Sequence, residues 1–407
     1  MKKFVLLSLL SLFLIGLAGC STKDGLRKDS DLSGSKYGSE WADEGNQGEY
    51  QAPQAGQLTA SEWSDIYNYD FYLSLFESSQ ESEQGIFTPY YQKGYFDTLN
   101  MVTVLVKNGD QVLSGAQVAL QNVSEKTVYT GVTNLFGYTY LFPKTLELDL
   151  ITNIKVTYNG QTINVPYEYS TDNDQIEIDL EAEDNHQEVL ELMFVIDTTG
   201  SMGDEISYLK SEIDYVISEV QNDNPNSTIR LALLFYRDFG DEYVTRYFDF
   251  TTDINQQKAN LSAQSAAGGG DFEEAVDVAL DEAVTKGWST DNTTKLLFHV
   301  LDARPHYEQN IMLRYYNAIY SASEKGIRII PVASSGIDKY TEYLLRNEAM
   351  MTGGTYVFLT NHSGIGEDHL EATVGETVVE YLNHLLIRLI NEYHTGVIEE
   401  KIPYYQK

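Results

Sequence analysis

From Val189 onward, apolar runs of strand length alternate with amphipathic runs of helix length, and that alternation admits few folds. Val189 to Ile196 reads as a buried strand and Met202 to Val220 as an amphipathic helix. Thr228 to Tyr236 and Tyr243 to Phe250 read as strands, Asp271 to Thr285 as helix and Lys295 to Leu301 as strand. Tyr307 to Lys325 (helix), Ile327 to Val332 (strand), Thr341 to Met351 (helix) and Thr355 to Leu359 (strand) continue the series, and Glu376 to Tyr393 is the final helix. Strands separated by helices pair in parallel with right-handed crossovers. The expectation for residues 189–395 is an α/β, doubly wound (Rossmann-like), mostly parallel sheet.

Within that pattern the stretch Phe194-Val195-Ile196-Asp197-Thr198-Thr199-Gly200-Ser201-Met202-Gly203 carries the chemistry. An apolar strand delivers Asp197 to the carboxyl edge of the sheet, where open α/β sheets bind ligands. Asp197, Thr199 and Ser201 alternate along the following turn, so one carboxylate and two hydroxyls can converge. Small, hard oxygen sites of this kind suit Mg²⁺ or Mn²⁺, with Ca²⁺ as the larger alternative. Two more segments belong at the same edge: the glycine loop Ala267-Gly268-Gly269-Gly270-Asp271 and the strand end Leu301-Asp302. Taken singly, Asp197 or Ser201 could cap a helix, and Asp271 could be a first-turn acid favoured by the helix dipole.

These residues resemble the von Willebrand factor A family and its metal-ion-dependent adhesion site, a D-x-S-x-S motif with a distant Thr and a distant Asp. Asp197 matches the first Asp, Thr199 and Ser201 the two serines, and Asp302 the last Asp. Phe235-Tyr236-Arg237-Asp238 and Asp302-Ala303-Arg304-Pro305-His306 look like a bacterial branch of that family. The resemblance implies an ion, Mg²⁺ first, held by Asp197, Thr199, Ser201 and Asp302 with open positions for a protein ligand. Two departures stand out: Thr199 replaces Ser, and Asp271 follows the glycine loop where the distant Thr is expected. Asp271 is thus either a third carboxylate ligand or a capping residue. No nucleophile elbow, zinc spacing or phosphate loop accompanies the site, so the chain is read as a binding protein and not an enzyme. The rival is a metal-assisted hydrolase, with Asp238 and His306 as candidate bases. A third reading is an envelope protein whose metal only stabilises the fold.

Between Leu99 and Glu181 the period changes to two, with about seven short strands and an Asn159-Gly160 hairpin signal. Gly115-Ala116-Gln117-Val118-Ala119-Leu120 and the run Gly131 to Leu141 resemble the transthyretin-like or carboxypeptidase-regulatory family. That implies a small β-sandwich over 96–182 without chemistry of its own. Residues 59–95 read as a helical, aromatic segment opened by the capping signal Thr59-Ala60-Ser61-Glu62.

Lys2 and Lys3, the apolar run Phe4 to Leu17 and then Leu17-Ala18-Gly19-Cys20 resemble a bacterial lipobox, implying a signal peptide over 1–19 and lipidation of Cys20. The lone cysteine allows no intramolecular disulfide. The polar stretch 20–58 reads as a tether, which would hold the folded part off a membrane. Ser21 lacks the acid associated with inner-membrane retention, so the expected address is the cell envelope, outer membrane or cell surface. A net charge of −34 excludes nucleic acid as a partner. The motif Pro89-Tyr90-Tyr91-Gln92-Lys93 recurs as Pro403-Tyr404-Tyr405-Gln406-Lys407 in the tail, 396–407.

Overall fold

A computed structural model describes residues 53–78, 83–170, 175–366 and 368–405; the lipobox, Cys20 and most of the tether lie outside them. The first element is a strand, β1 (Thr59–Trp63), followed by short helices α1 (Tyr69–Ser74) and α2 (Thr88–Tyr91). Next come β2 (Val102–Asn108), β3 (Gln111–Val112), β4 (Gln117–Asn122), β5 (Thr127–Val132) and β6 (Tyr138–Leu141). This β region ends with β7 (Ile151–Tyr158), β8 (Gln161–Pro166) and β9 (Ile176–Asp179). The alternating region opens with β10 (Val189–Asp197), α3 (Ile206–Asp223), β11 (Thr228–Tyr236), β12 (Thr245–Thr251) and α4 (Ile254–Ser262). It continues with α5 (Val276–Thr285), β13 (Thr294–Leu301), α6 (Gln309–Lys325), β14 (Ile327–Ala333) and α7 (Lys339–Thr352). Last are β15 (Tyr356–Leu359), β16 (Glu380–Tyr381) and α8 (Leu382–Thr395).

The main sheet has eight strands in the order β12-β11-β10-β13-β14-β15-β1-β16. Strands β11 to β15 in that order run parallel; β12 and β1 flank them antiparallel, and β16 pairs antiparallel with β1. Because successive side chains on a strand point to opposite faces, β10 builds both cores. Leu192, Phe194 and Ile196 pack with α3, α4 and α8, while Met193 and Val195 pack with α5, α6 and α7. Helix α3 buries Ile206, Leu209, Ile213, Val216, Ile217 and Val220, a three-and-four spacing that keeps one stripe on the sheet.

The β region forms two four-stranded sheets, β3-β2-β6 with β9 on the free side of β2, and β5-β4-β7-β8. Asn159 (φ 49°) and Gly160 (φ 77°) make the tight turn from β7 to β8, both in the left-handed region that such a hairpin needs. Their apolar faces belong to the same core as α5 to α7. Tyr129 Oη donates to the Met351 carbonyl and Ser323 Oγ to the Thr130 carbonyl, tying the β region to the main sheet.

Two expectations need correction. The segment from Thr59 is not one helix. Thr59–Trp63 is a fully buried strand whose residues Ala60 to Trp63 face Leu359 to Tyr356, and α1 covers only six residues. The open edge of β15 supplies backbone partners that outweigh a local capping signal. The β region is therefore inserted between two strands of one sheet. The last helix begins at Leu382, not Glu376, since Glu380–Tyr381 pairs with Thr59 and Ala60. The two copies of the repeated pentapeptide sit in unlike surroundings. Tyr90 stacks on Tyr340 and Lys93 lies over Tyr307, whereas Tyr404 packs on His362 and Tyr381.

Candidate metal centre

Strand β10 ends at Asp197, fully buried at the carboxyl edge of the parallel strands. One oxygen, Oδ1, accepts from the Thr199 amide at 2.8 Å and the Thr199 hydroxyl at 2.7 Å. The other, Oδ2, is buried and accepts no hydrogen bond. Thr199 Oγ1 lies 3.1 Å from Ser201 Oγ, and Ser201 is exposed. The Thr199 hydroxyl thus directs its proton to Asp197 and keeps lone pairs for another partner. The turn is fixed from both sides. Thr198 N donates to the Tyr236 carbonyl at 2.9 Å, Gly200 N to the Gly268 carbonyl at 3.1 Å, and Ala267 N to the Thr198 carbonyl at 3.0 Å.

These last two bonds lay the glycine loop against the Asp197 turn. A Cβ on Gly269 (φ +72°) would meet Glu274 Oε1 at 3.0 Å and Thr199 Cβ at 3.4 Å, so the missing side chain admits the Glu274 carboxylate. Asp241 holds the loop by accepting from Gly269 N at 2.9 Å and Asp238 N at 3.1 Å. Glu274 is buried, is bridged to Pro305 and donates its amide to the Arg304 carbonyl at 3.1 Å, which places it beside the loop after Asp302. Its Oε2 accepts no hydrogen bond.

Burial together with the charge of Asp302 raises the Asp197 carboxyl far above the ordinary range, against the Thr199 hydrogen bonds and the nearby Tyr236 hydroxyl that lower it. Burial, then Asp197, Asp238 and Asp302, push Glu274 up to about 9. A set of buried carboxylates that raise one another lacks positive charge. Among the described residues no three His, Cys, Asp or Glu side chains close on one point. A cation here would therefore take hydroxyl oxygens and water beside carboxylates, the habit of Mg²⁺. The donors present fit such an ion.

Of the residues expected at the site, Asp197, Thr199 and Ser201 form one bonded group, and Asp302 lies within electrostatic reach of Asp197. Asp271 does not join them. It is exposed, and its charge acts on His306 instead. The glycine loop turns it outward, and the buried acid comes three residues later, at Glu274. The Glu273-Glu274 pair at the helix entrance was the available signal, masked by the nearer Asp271. His306 Nε2 lies 3.0 Å from Asp238 Oδ1. Burial works against protonation of His306, but Asp238, Asp271 and Glu308 raise it above its ordinary value.

With this geometry in hand, the alternating region can be set beside known families. Residues 191–361 match the von Willebrand factor A domain family. The matched segment runs from within β10 to just past β15, so β1 and α8 lie outside it. A putative ariadne-like RING finger protein of Acanthamoeba polyphaga mimivirus is 25% identical over 224 residues, 53% of this chain. The chain spans 22% of that relative's length. Among solved structures, conserved hypothetical protein BatB from Bacteroides thetaiotaomicron is similar at 14% identity and a TM-score of 0.36, over 50% of this chain and 98% of that one. An aerotolerance-related membrane protein from Bacteroides fragilis gives 14% and 0.32, over 50% and 99%. Among the described residues no helix is long and apolar enough to cross a membrane.

Proposed function

We propose that the A domain binds a protein partner through a divalent cation, Mg²⁺ first, at the Asp197 site, and that the chain does this from a lipid anchor at Cys20 on the cell envelope. The carrying observation is Asp197 Oδ2, a fully buried carboxylate oxygen without a hydrogen bond, facing a region where Asp302 and Glu274 add like charge. Asp197, Asp302 and the hydroxyls of Thr199 and Ser201 would hold the ion, with Glu274 beside them. The ion supplies open coordination positions that an oxygen of the partner fills.

The acids around the site outnumber the charge of one divalent ion, so a neutral partner oxygen, carbonyl or hydroxyl, is favoured over a carboxylate. Phe239, Phe272 and Tyr307 are exposed on the three loops around the site. Phe239 lies 6.1 Å from the His306 ring, and Phe272 and Tyr307 each stack 4.6 Å from the Arg304 guanidinium. Such an aromatic rim suits a protein surface, where desolvated rings contribute much of the affinity.

One observation favours a second reading: the His306–Asp238 pair could act as a base for a metal-assisted hydrolase. The test is affinity capture from envelope membranes with the whole protein, in Mg²⁺ and in EDTA, beside Asp197→Ala. The binding reading predicts one defined partner, lost both with EDTA and in Asp197→Ala. A partner retained in either case overturns the reading. Hydrolysis of the captured partner that stops in His306→Ala would favour the enzyme.

A further inference from the structure

The opposite, amino-terminal edge of the parallel strands holds a second site. A cleft of about 550 Å³ opens there between the main sheet and the inserted β region, lined from one side by Lys295, Arg328 and Trp288 and from the other by Thr157 and Asn159. That volume suits a ligand of sugar size. Lys295 is the second residue of β13 and Arg328 the second of β14, and both are more than nine-tenths buried. Among the described residues neither makes an ion pair. Lys295 Nζ donates to the Asp291 carbonyl at 2.7 Å, and Arg328 donates to the carbonyls of Thr352 at 2.8 Å and Val132 at 2.6 Å. Glu191, on the strand next to Lys295, is committed to Arg230, Ser289 and Thr293. Backbone carbonyls orient these cations; Glu191 and Asp291 act on Lys295 only through space, against a larger effect of burial.

The rest of the lining is polar. Lys325 stands at the rim, donating to the Val284 carbonyl at 2.9 Å. Among the described residues Asp291 and Glu324 supply the only carboxylates of the lining, and Asp291 is exposed. Both ring nitrogens of His186 are buried without a hydrogen bond. Asn292 spans the two walls by donating to the Ser114 carbonyl at 2.9 Å and Asn185 Oδ1 at 2.8 Å. Amides, hydroxyls and an indole ring around buried cations match a ligand that carries hydroxyl groups and one negative charge.

We propose that this cleft binds a small hydroxyl-rich organic anion, a sugar acid or sugar phosphate, with Lys295, Arg328 and Lys325 taking the charge and Trp288 and the asparagines the sugar body. The site is independent of the Asp197 centre. The experiment is titration of the whole protein with glucuronate, glucose 6-phosphate and glucose, followed by calorimetry and tryptophan fluorescence. At least one anionic sugar should bind saturably, about tenfold or more tighter than glucose, the scale of one charge-assisted hydrogen bond. The tighter anion tells carboxylate from phosphate. Lys295→Met and the exposed-rim variant Lys325→Met should each weaken that binding, and Asp197→Ala should leave it unchanged. Equal binding of glucose, no saturable binding of either anion, or full binding in a folded Lys325→Met and Lys295→Met would overturn the proposal.

Discussion

The two edges of the parallel strands hide opposite charges. At the carboxyl edge Asp197, Glu274 and Asp302 are buried; at the amino edge Lys295 and Arg328 are buried against the inserted β region, and the buried carboxylate there, Glu191, is taken by Arg230. Two arginines buried elsewhere meet carboxylates directly. Arg346 meets Asp65 at 2.5 and 2.8 Å, and Arg388 meets Glu380 at 2.6 Å. An uncompensated buried charge costs several kcal/mol, so like charges collected at one edge mark a place where something of opposite sign binds. The edges differ in how they were built. The carboxyl edge gathers its groups from loops of the alternating region alone, whereas the amino edge needs the insertion to close its second wall.

Four changes would break or sharpen this contrast. The largest concerns pH in chelated protein. Glu274, with its carboxyl at about 9, and Asp197, also raised, are held neutral at acid pH. A folded-state value above the unfolded one means stability is fullest at low pH and is lost as pH rises through the folded value. Melting in EDTA should therefore fall from about pH 5 to about pH 9, and Mg²⁺ should restore it at the alkaline end. A flat profile in EDTA would mean the carboxylates are balanced without metal. Next, Glu274→Gln keeps the shape and removes one charge. Mg²⁺ affinity should drop about tenfold by calorimetry while the metal-free protein melts higher at alkaline pH. Third, Lys295→Met should stabilise the ligand-free protein by about 1 kcal/mol in urea unfolding, since a buried cation that makes no ion pair among the described residues is removed. A loss of stability would show that Glu191 already balances it. Smallest, Asp271→Asn should change Mg²⁺ affinity by less than about twofold, as an exposed charge acts through water. An effect equal to that of Glu274→Gln would return Asp271 to the ion.

Much of this was legible in the chain. The period of strands and helices after Val189 gave the sheet, because β10 and β13 are buried on both faces and read as continuous apolar runs. Asp197, Thr199 and Ser201 were legible because they sit within five residues of one turn. Glu274 was not, since its place depends on how far the glycine loop travels before α5, which spacing alone does not fix. Nor was β1: five residues that read locally as a helix start become a strand only because β15, almost three hundred residues later, presents an open edge. The cationic edge was hidden for the same reason. Lys295 and Arg328 look like ordinary strand-end residues until the inserted β region covers them.

The central claim is tested most directly by Mg²⁺ titration calorimetry on the whole protein, wild type beside Asp197→Ala. One saturable site in the wild type, absent in the folded variant, is the predicted result. Binding that survives Asp197→Ala, or no binding in the wild type, would contradict the account of the carboxyl edge as a cation site.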